Sequence, residues 1–232
     1  MRKKIQKSIE ILEKAKLEYP QILVGLSGGK DSLAVLDLCL KVFGRDNVVC
    51  FNMQYLPGLQ VQKETLDYAK KRFNLSNIIE VPAENFWLDF KSGIYGWEDM
   101  WKEDLPKVNR KLIFLKLVKE TGILNIAVGI KKSDNLRIRQ QWEQNLYYGG
   151  MVAPLWDYTA LDVIQYNILN KIEISKQTKD GFRGVGLDDY DLYYIYKNYP
   201  ADFKEMEKFF PFIGAKVFQI EHWNMSFKKH FV

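Results

Sequence analysis

Six consecutive residues bring together the groups of this chain that could do chemistry: Ser27, Gly28, Gly29, Lys30, Asp31 and Ser32. They follow an apolar run at residues 22–26 and lead into an amphipathic run at residues 31–43, an order that predicts a strand, a tight loop and a helix. Glycines leave backbone N–H groups uncovered, and the N-terminus of a helix carries partial positive charge. The loop is therefore suited to a phosphate or pyrophosphate.

The side chains of the loop add to this anion chemistry. Lys30 brings a positive charge, and Ser27 and Ser32 bring hydroxyl donors. Asp31 would repel a phosphate unless a cation lies between them, which predicts a divalent metal ion bound to Asp31. A helix cap is the alternative role for Asp31, and Ser32 could provide that cap instead.

Two other loop motifs do not fit this run. A Walker-type phosphate loop requires Gly at position 24 and Ser or Thr at position 31, where this chain has Val24 and Asp31. Residues 25–29 match the G-x-S-x-G nucleophile elbow, but that elbow follows a sheet already built from preceding strands. The histidines that a catalytic triad would need, His222 and His230, stand at the far end of the chain.

The run at residues 27–32 resembles the pyrophosphate loop of the adenine-nucleotide α-hydrolase superfamily, which includes ATP pyrophosphatases and phosphoadenosine-phosphosulfate reductases. Residues 129–139 are similar to the G-x-R-x-x-E-S-x-x-R segment of the reductase branch. Residues 153–163 are similar to its P-L-x-D-W-T-x-x-D-V block, although T-x-x-D before an apolar run is also a helix-capping arrangement. The order and spacing of the segments agree with the family, so the likeness extends from residue 22 to about residue 187.

The resemblance implies roles for individual residues, with pyrophosphate on the glycine loop and the metal ion on Asp31. The catalytic residues it implies are Lys30, Asp31, Lys131 and Arg137. The nucleotide-binding residues it implies are Ser27, Gly28, Gly29, Lys30, Ser32, Asn52, Met53 and Gly129. Lys132 and Arg139 add positive charge to the same segment, with an ordinary solvated helix face as the alternative.

The chain lacks cysteines at the positions where reductase-type relatives carry them. Leu187 and Tyr190 take the places of the cysteines of a G-C-x-x-C element, so we expect no iron–sulfur cluster. The two cysteines present, Cys39 and Cys50, lie in apolar patterns and are expected in the core. Lys131 stands where the family has arginine. An arginine guanidinium binds phosphate through two parallel hydrogen bonds, whereas the lysine ammonium group acts as a single point charge. The nucleotide could thus be ATP or phosphoadenosine phosphosulfate.

Together, these features favour an enzyme that binds ATP or a related adenine nucleotide with Mg²⁺. As the resemblance implies, it would cleave ATP at the α/β bond and adenylylate an acceptor that the sequence does not identify. A sulfonucleotide reductase that uses an external thiol stays open as an alternative. So does a nucleotide sensor or nucleic-acid-binding protein without turnover, because tyrosines and lysines after residue 181 could stack bases or simply pack a helix.

The composition, with 47% hydrophobic and 27% charged residues in 232, allows one sizeable α/β core. Strand patterns alternate with helical patterns; the strands are expected at residues 22–26, 48–53, 78–81 and 124–129 and the helices at 2–18, 31–43, 59–73 and 107–121. This order predicts a doubly wound, mostly parallel sheet with helices on both faces, which binds ligands at the carboxyl ends of its strands. We expect an N-terminal helix (1–20), a nucleotide-binding α/β domain (21–180) and a helical C-terminal extension packed on it (181–232).

The remaining expectations concern environment and partners. Two cysteines without a disulfide or metal spacing, no signal-peptide pattern and no bilayer-length apolar run predict a cytoplasmic protein. The net charge of +5 suits anionic partners, with nucleic acid and a homo-oligomer left open. The aromatic segment at residues 86–101 fits equally a lid over a substrate and a part of the core.

Overall fold

The apolar runs singled out in the sequence form strands of one sheet, because their β-branched and aromatic side chains suit a pleated surface that is covered on both faces. The computed structural model describes residues 1–97, 99, 102–136, 139–140, 147–148 and 150–223. The strands are β1 (Ile22–Gly25), β2 (Val48–Gln54), β3 (Ile78–Pro82), β4 (Asn125–Ala127), β5 (Tyr147–Tyr148) and β6 (Met151–Val152).

The strand order across the sheet is β3-β2-β1-β4-β6-β5. β1 is parallel to both of its neighbours, and Ile22 lies opposite Val48 of β2 and Asn125 of β4. β6 runs parallel to β4, whereas β5 is antiparallel to β6. The chain thus builds the sheet outward from β1 in both directions, which makes the carboxyl end of β1 the switch point where such sheets bind ligands.

One helix precedes the first strand, and the others lie between and after the strands. They are α1 (Arg2–Glu18), α2 (Lys30–Phe43), α3 (Gln60–Phe73), α4 (Glu84–Ser92), α5 (Arg110–Thr121), α6 (Ala160–Leu169), α7 (Lys176–Lys179), α8 (Asp189–Asn198), α9 (Pro200–Glu207) and α10 (Ile213–His222). The predicted fold class, a doubly wound and mostly parallel sheet with helices on both faces and a helical C-terminal region, is confirmed. In the part of the chain that the structure describes, no helix combines the length and apolar composition needed to cross a bilayer.

The described residues group into two compact units. The first comprises Met1–Asn52, Leu66–Glu80 and Leu115–Ser175, and the second comprises Met53–Thr65, Val81–Phe114 and the chain from Lys176 onward. Each unit has its own apolar cluster. The domain limits expected at residues 20 and 180 stay a prediction.

Helix α2 lies in the core of the first unit. Its buried side chains extend from Ser32 in the first turn to Phe43 at the end, so packing fixes the helix start that follows the glycine loop. Cys39 of α2 and Cys50 of β2 are both free, buried thiols, as expected. Burial raises the pKa of Cys50 to about 12 and raises that of Cys39 as well, so neither is a thiolate at neutral pH.

Aromatic side chains form much of the core of the second unit. Phe86 and Phe90 of α4 lie one helical turn apart and pack there, and the ring of Phe86 meets that of Tyr55 edge-on at 5.4 Å. The sequence predicts either a lid or a part of the core for the aromatic segment at residues 86–101, and Phe86 and Phe90 are part of the core. Trp97 is 62% exposed and contacts the ring of Phe212, whereas residues 98, 100 and 101 lie outside the described residues.

The tyrosines after residue 181 also pack within the second unit. Tyr193 and Tyr194 of α8 are buried, and the Tyr194 ring stacks on Phe182 with centroids 4.9 Å apart. The Tyr190 hydroxyl donates to the main-chain oxygen of Asp180. The tyrosine rings therefore pack as core side chains of the second unit. The sequence leaves two roles open for them, base stacking and helix packing, and these contacts fit helix packing.

A capping box starts α6, as T-x-x-D predicts. The Thr159 hydroxyl accepts from the Asp162 N–H at 3.2 Å, and the Asp162 carboxylate accepts from the Thr159 N–H at 2.7 Å. Lys4 of α1 pairs with the same carboxylate. The hydrogen bonds from Lys4 and Thr159 lower the pKa of Asp162 to about 2.

Replacing Asp162 with Ala should lower the free energy of unfolding at neutral pH by about 1 kcal/mol, because the cap and the link to α1 are both lost. Since the folded-state pKa is depressed, this contribution is present above the unfolded carboxyl pKa of about 4 and fades as the pH falls towards about 2. Urea unfolding of the wild type and the variant across this pH range tests whether the difference in their free energies of unfolding shrinks as the pH falls. Glu120→Ala, which removes half of a surface ion pair on α5, is the control and should change stability by less than about 0.5 kcal/mol.

Candidate functional site

The glycine loop joins β1 to α2 at the switch point of the sheet. The Leu26 N–H donates to the Phe51 carbonyl at 2.8 Å, which continues the β1–β2 pairing up to the loop. Gly28 then turns the chain with a φ of 77°, a conformation that only glycine adopts at little cost. Gly29 is the N-cap of α2. The loop therefore ends at the positive end of a helix that the core holds in place.

No side chain of the described residues caps α2. The alternative roles of Asp31 and Ser32 as helix caps are therefore not observed. The Ser32 hydroxyl donates to the Gly29 carbonyl at 2.9 Å, and the Ser27 hydroxyl lies 3.2 Å from that of Ser32. Ser27, Gly28, Gly29, Lys30 and Ser32, predicted to bind one pyrophosphate, thus occupy the loop and the first turn of α2. The Gly29 N–H donates to the Ser27 hydroxyl at 3.4 Å, and among the described residues no side chain bonds the N–H groups of Lys30, Asp31 or Ser32.

Asp31 lies between two lysines. One carboxylate oxygen accepts from Lys30 Nζ at 2.9 Å, and the other accepts from Lys131 Nζ at 3.0 Å. Lys131 is only 6% exposed. Its Nζ also lies 3.2 Å from a carboxylate oxygen of Asp134, so Lys131 pairs with two aspartates. Two ammonium groups from distant parts of the chain therefore meet at the start of α2.

The path of the chain after β4 explains how Lys131 reaches this position. β4 is parallel to β1, so the two strands end at the same edge of the sheet. The backbone at Gly129 then passes so close to α2 that a Cβ there would lie 3.2 Å from the Asp31 Cβ. Gly129, predicted as a nucleotide-binding residue, thus allows the close approach that brings Lys131 to Asp31.

In the part of the chain that the structure describes, the surroundings of Asp31 do not form a metal site held by the protein alone. Both carboxylate oxygens already accept from ammonium groups. Among the described residues, no group of three or more His, Cys, Asp or Glu side chains could hold a metal ion. Mg²⁺ is often bound by one or two carboxylates together with substrate phosphates, so the site fits at most an ion carried by a nucleotide.

Of the remaining predicted residues, Asn52 contacts the backbone of the loop. Asn52 ends the first unit's part of β2 and donates from Nδ2 to the Leu26 carbonyl at 2.7 Å. Met53 belongs to the second unit, where its main-chain oxygen accepts from Gln62 at 3.3 Å. Arg137 lies outside the described residues. The role of each in nucleotide binding stays a prediction.

The neighbouring lysine, Lys132, has a different environment from Lys131. Lys132 Nζ lies 2.7 Å from a carboxylate oxygen of Asp157, which also pairs with Lys7 of α1. Partial burial raises the pKa of Asp157, but the hydrogen bonds from Lys132 and Lys7 outweigh it and hold the pKa below its ordinary value. Lys132 is therefore part of a surface ion-pair network, and Arg139 is likewise exposed.

Sequence reasoning missed Asn167. This residue of α6 is fully buried, and its Nδ2 donates to the Lys30 carbonyl at 3.0 Å. The available signal was an amide side chain within the otherwise apolar stretch Tyr166–Leu169 of the α6 sequence. Buried polar side chains need a partner, and here the partner is the glycine loop's own helix.

The comparison with protein families agrees with this geometry. Residues 21–188, more than half of the chain, match the family model described as the phosphoadenosine phosphosulfate reductase domain. The chain belongs to this family. It is thereby a member of the adenine-nucleotide α-hydrolase superfamily, whose members bind adenine nucleotides on a pyrophosphate loop.

Individual relatives add context. An uncharacterized protein of Methanocaldococcus jannaschii is 30% identical over 176 residues, and the match spans 74% of this chain but 36% of that relative. The NH3-dependent NAD synthetase of Campylobacter jejuni, solved with a nitrate ion, is 14% identical with a TM-score of 0.49, covering 94% of this chain and 93% of that one. The glutamine-dependent NAD+ synthetase of Acinetobacter baumannii, solved with ADP, is 17% identical with a TM-score of 0.48, covering 94% and 43%.

Replacing Lys131 with Met should weaken the binding of pyrophosphate by about tenfold or more, because it removes one ammonium group and leaves the Asp31 carboxylate less neutralised. Isothermal titration calorimetry measures the dissociation constant. Lys132→Met is the matched control, since it removes the adjacent lysine but affects only the Asp157 network. Equal affinities of the two variants would show that Lys131 does not contribute to an anion site.

Proposed function

We propose that the chain is an enzyme that binds ATP on the glycine loop, cleaves it between the α- and β-phosphates and transfers the adenylyl group to an acceptor. The observation that carries this proposal is the meeting of Lys30 and Lys131 on Asp31 at the N-terminus of α2. A site for one phosphate needs no second lysine brought in from the segment after a neighbouring strand. Two cations beside a helix N-terminus suit a pyrophosphate, which carries more charge.

The residues would contribute mainly by electrostatics and positioning. An acceptor oxygen attacks the α-phosphorus, the bond from that phosphorus to the α/β bridging oxygen breaks, and pyrophosphate leaves with the electron pair. Negative charge grows on the leaving group, where the N–H groups of the loop and the ammonium groups of Lys30 and Lys131 would stabilise it. Holding the acceptor in line with the breaking bond would supply the rest of the acceleration.

Mg²⁺ enters this proposal as an ion that arrives with the nucleotide. Bound to the phosphates, it would offset part of their charge. The Asp31 oxygens keep further lone pairs, but the ammonium groups of Lys30 and Lys131 beside them would repel another cation. We therefore assign no step to the metal ion.

A sulfonucleotide reductase with an external thiol is the second candidate, and membership of the reductase-domain family favours it. In that reaction an external dithiol would be oxidised to a disulfide while sulfite and adenosine bisphosphate are released. The chain's own thiols do not suit the task, since burial raises the pKa of both Cys39 and Cys50. The buried tyrosines of α8 give no support to a nucleic-acid-binding role.

The acceptor and any further partner belong to this proposal as well. The matched relative is almost three times as long as the matched segment, so other parts of such proteins could supply the acceptor site. A homo-oligomer remains compatible with the proposal. A reducing, cytoplasmic environment fits two free, buried thiols.

Incubation of the purified chain with ATP labelled at the α-phosphate, with candidate acceptors, should yield AMP or an adenylylated acceptor together with pyrophosphate. Lys30→Met should reduce the rate by about tenfold to a hundredfold, because it removes a cation that faces the leaving group. Lys16→Met, which removes a lysine bonded to the Val42 carbonyl, is the control. ADP as product would contradict the proposal. Bound but unchanged ATP would favour a sensor, and thiol-dependent sulfite release from phosphoadenosine phosphosulfate would favour the reductase.

Asp31→Asn separates the two roles of the carboxylate. If Asp31 orients the lysines, ATP binding by the variant should keep its dependence on Mg²⁺ while the affinity for magnesium-free pyrophosphate changes, because the balance of charge at the loop is altered. Calorimetric titrations with and without Mg²⁺ test this expectation. Loss of the Mg²⁺ dependence, with unchanged affinity for magnesium-free pyrophosphate, would instead make Asp31 a metal ligand.

A further inference from the structure

Two buried asparagines hold the backbone on either side of the glycine loop. Asn52, which is 3% exposed, donates from Nδ2 to the Leu26 carbonyl at 2.7 Å. Asn167, which is fully buried, donates from Nδ2 to the Lys30 carbonyl at 3.0 Å. Leu26 directly precedes Ser27–Gly29 and Lys30 directly follows it. The two bonds therefore fix the entry and the exit of the loop.

Each of these asparagines has a cost in stability. The Oδ1 atoms of Asn52 and Asn167 are buried and have no hydrogen-bond partner among the described residues. The amides cannot be turned round to satisfy them, because that would place an oxygen against the loop carbonyl. Burying an unpaired carbonyl is unfavourable, and an apolar side chain of similar shape would avoid that penalty but would leave the loop carbonyl without its Nδ2 donor. What each amide contributes at its position is thus the one hydrogen bond to the backbone of the loop.

Their position suggests what the amides provide. A loop with two adjacent glycines loses much conformational entropy when it becomes ordered, and Gly28 must adopt a φ of 77°. The Leu26 N–H donates to the Phe51 carbonyl, and the Leu26 carbonyl accepts from Asn52. Both main-chain polar groups of Leu26 are therefore hydrogen-bonded. Fixing both ends before a ligand arrives lowers the entropy cost of binding it.

We propose that Asn52 and Asn167 are positioning residues that keep the glycine loop in its anion-binding shape in the absence of ligand. This role differs from the direct nucleotide contact that the sequence predicts for Asn52. The ligand class, an inorganic pyrophosphate or the phosphates of a nucleotide, rests on the proposed function. The ordering of the loop does not, because the two hydrogen bonds exist within the chain itself.

The test uses Asn52→Leu and Asn167→Leu, which keep approximate volume and remove the donor. Asn125→Leu is the matched control, because Asn125 is an equally buried asparagine of the same unit whose Nδ2 donates to the carbonyls of Ala15 and Tyr19, away from the loop. Hydrogen–deuterium exchange of the ligand-free protein should be about tenfold faster at residues 26–32 in the two loop variants. In the control, faster exchange should appear at residues 15–21 instead.

Calorimetry with inorganic pyrophosphate supplies the second readout. Each loop variant should bind about tenfold more weakly than the wild type, while its melting temperature changes little, because removal of the unpaired Oδ1 offsets the loss of the donor to the loop carbonyl. The control should keep the wild-type affinity. If a leucine variant does not fold, the corresponding Asn→Ala variant, which adds no bulk, replaces it.

The two readouts separate this inference from the proposed function. Wild-type protein that binds neither pyrophosphate nor ATP would overturn the proposed function, whereas the exchange rates would still decide whether the asparagines order the loop. Unchanged exchange at residues 26–32 in both loop variants would overturn the positioning role, even if nucleotide binding is found. Faster exchange with unchanged pyrophosphate affinity would also overturn it, because the order would then not serve the anion site.

Discussion

The candidate site depends on the pairing of one buried ammonium group. Lys131 is almost fully buried, and burying an ammonium group is costly unless carboxylates pair with it. Asp31 and Asp134 meet this requirement from two directions, one on α2 and one beside Lys131 in the chain. The end of β4 and the start of α2 must therefore stay together, and Gly129 makes that approach sterically possible.

Most strands, several helices and the glycine loop could be predicted, because short stretches of the sequence indicate them. The strands from β1 to β4 and the helices α1, α2 and α3 begin and end within a few residues of the predicted limits, since each has a clear period and a turn at its ends. The glycine loop was recognisable for the same reason: six adjacent residues carry its chemistry. The missed helix α4 has Phe86 and Phe90 at helical spacing, but its many aromatic residues obscured the period.

The contacts that finish the site could not be predicted in this way. Lys131 and Asp31 are 100 residues apart, and only the parallel pairing of β1 with β4 brings them together. Asn167 lies 137 residues from the carbonyl that it holds, and in the sequence it is a single polar residue within the apolar stretch Tyr166–Leu169. The family motif drew attention to Lys131, but nothing in the pattern of residues indicated that Asp31 would accept hydrogen bonds from two lysines.

Under the proposed function, the two lysines on Asp31 have a consequence for catalysis. With substrate bound, Lys30 and Lys131 would divide their interactions between the Asp31 carboxylate and the phosphates, so the ground state would gain only part of their attraction. As charge grows on the departing pyrophosphate, the balance would move towards the phosphates while the carboxylate still fixes the positions of the ammonium groups. Interactions that strengthen in this way accelerate the reaction rather than merely tighten substrate binding. A carboxylate beside an anion site, unfavourable for binding alone, thus becomes useful for turnover.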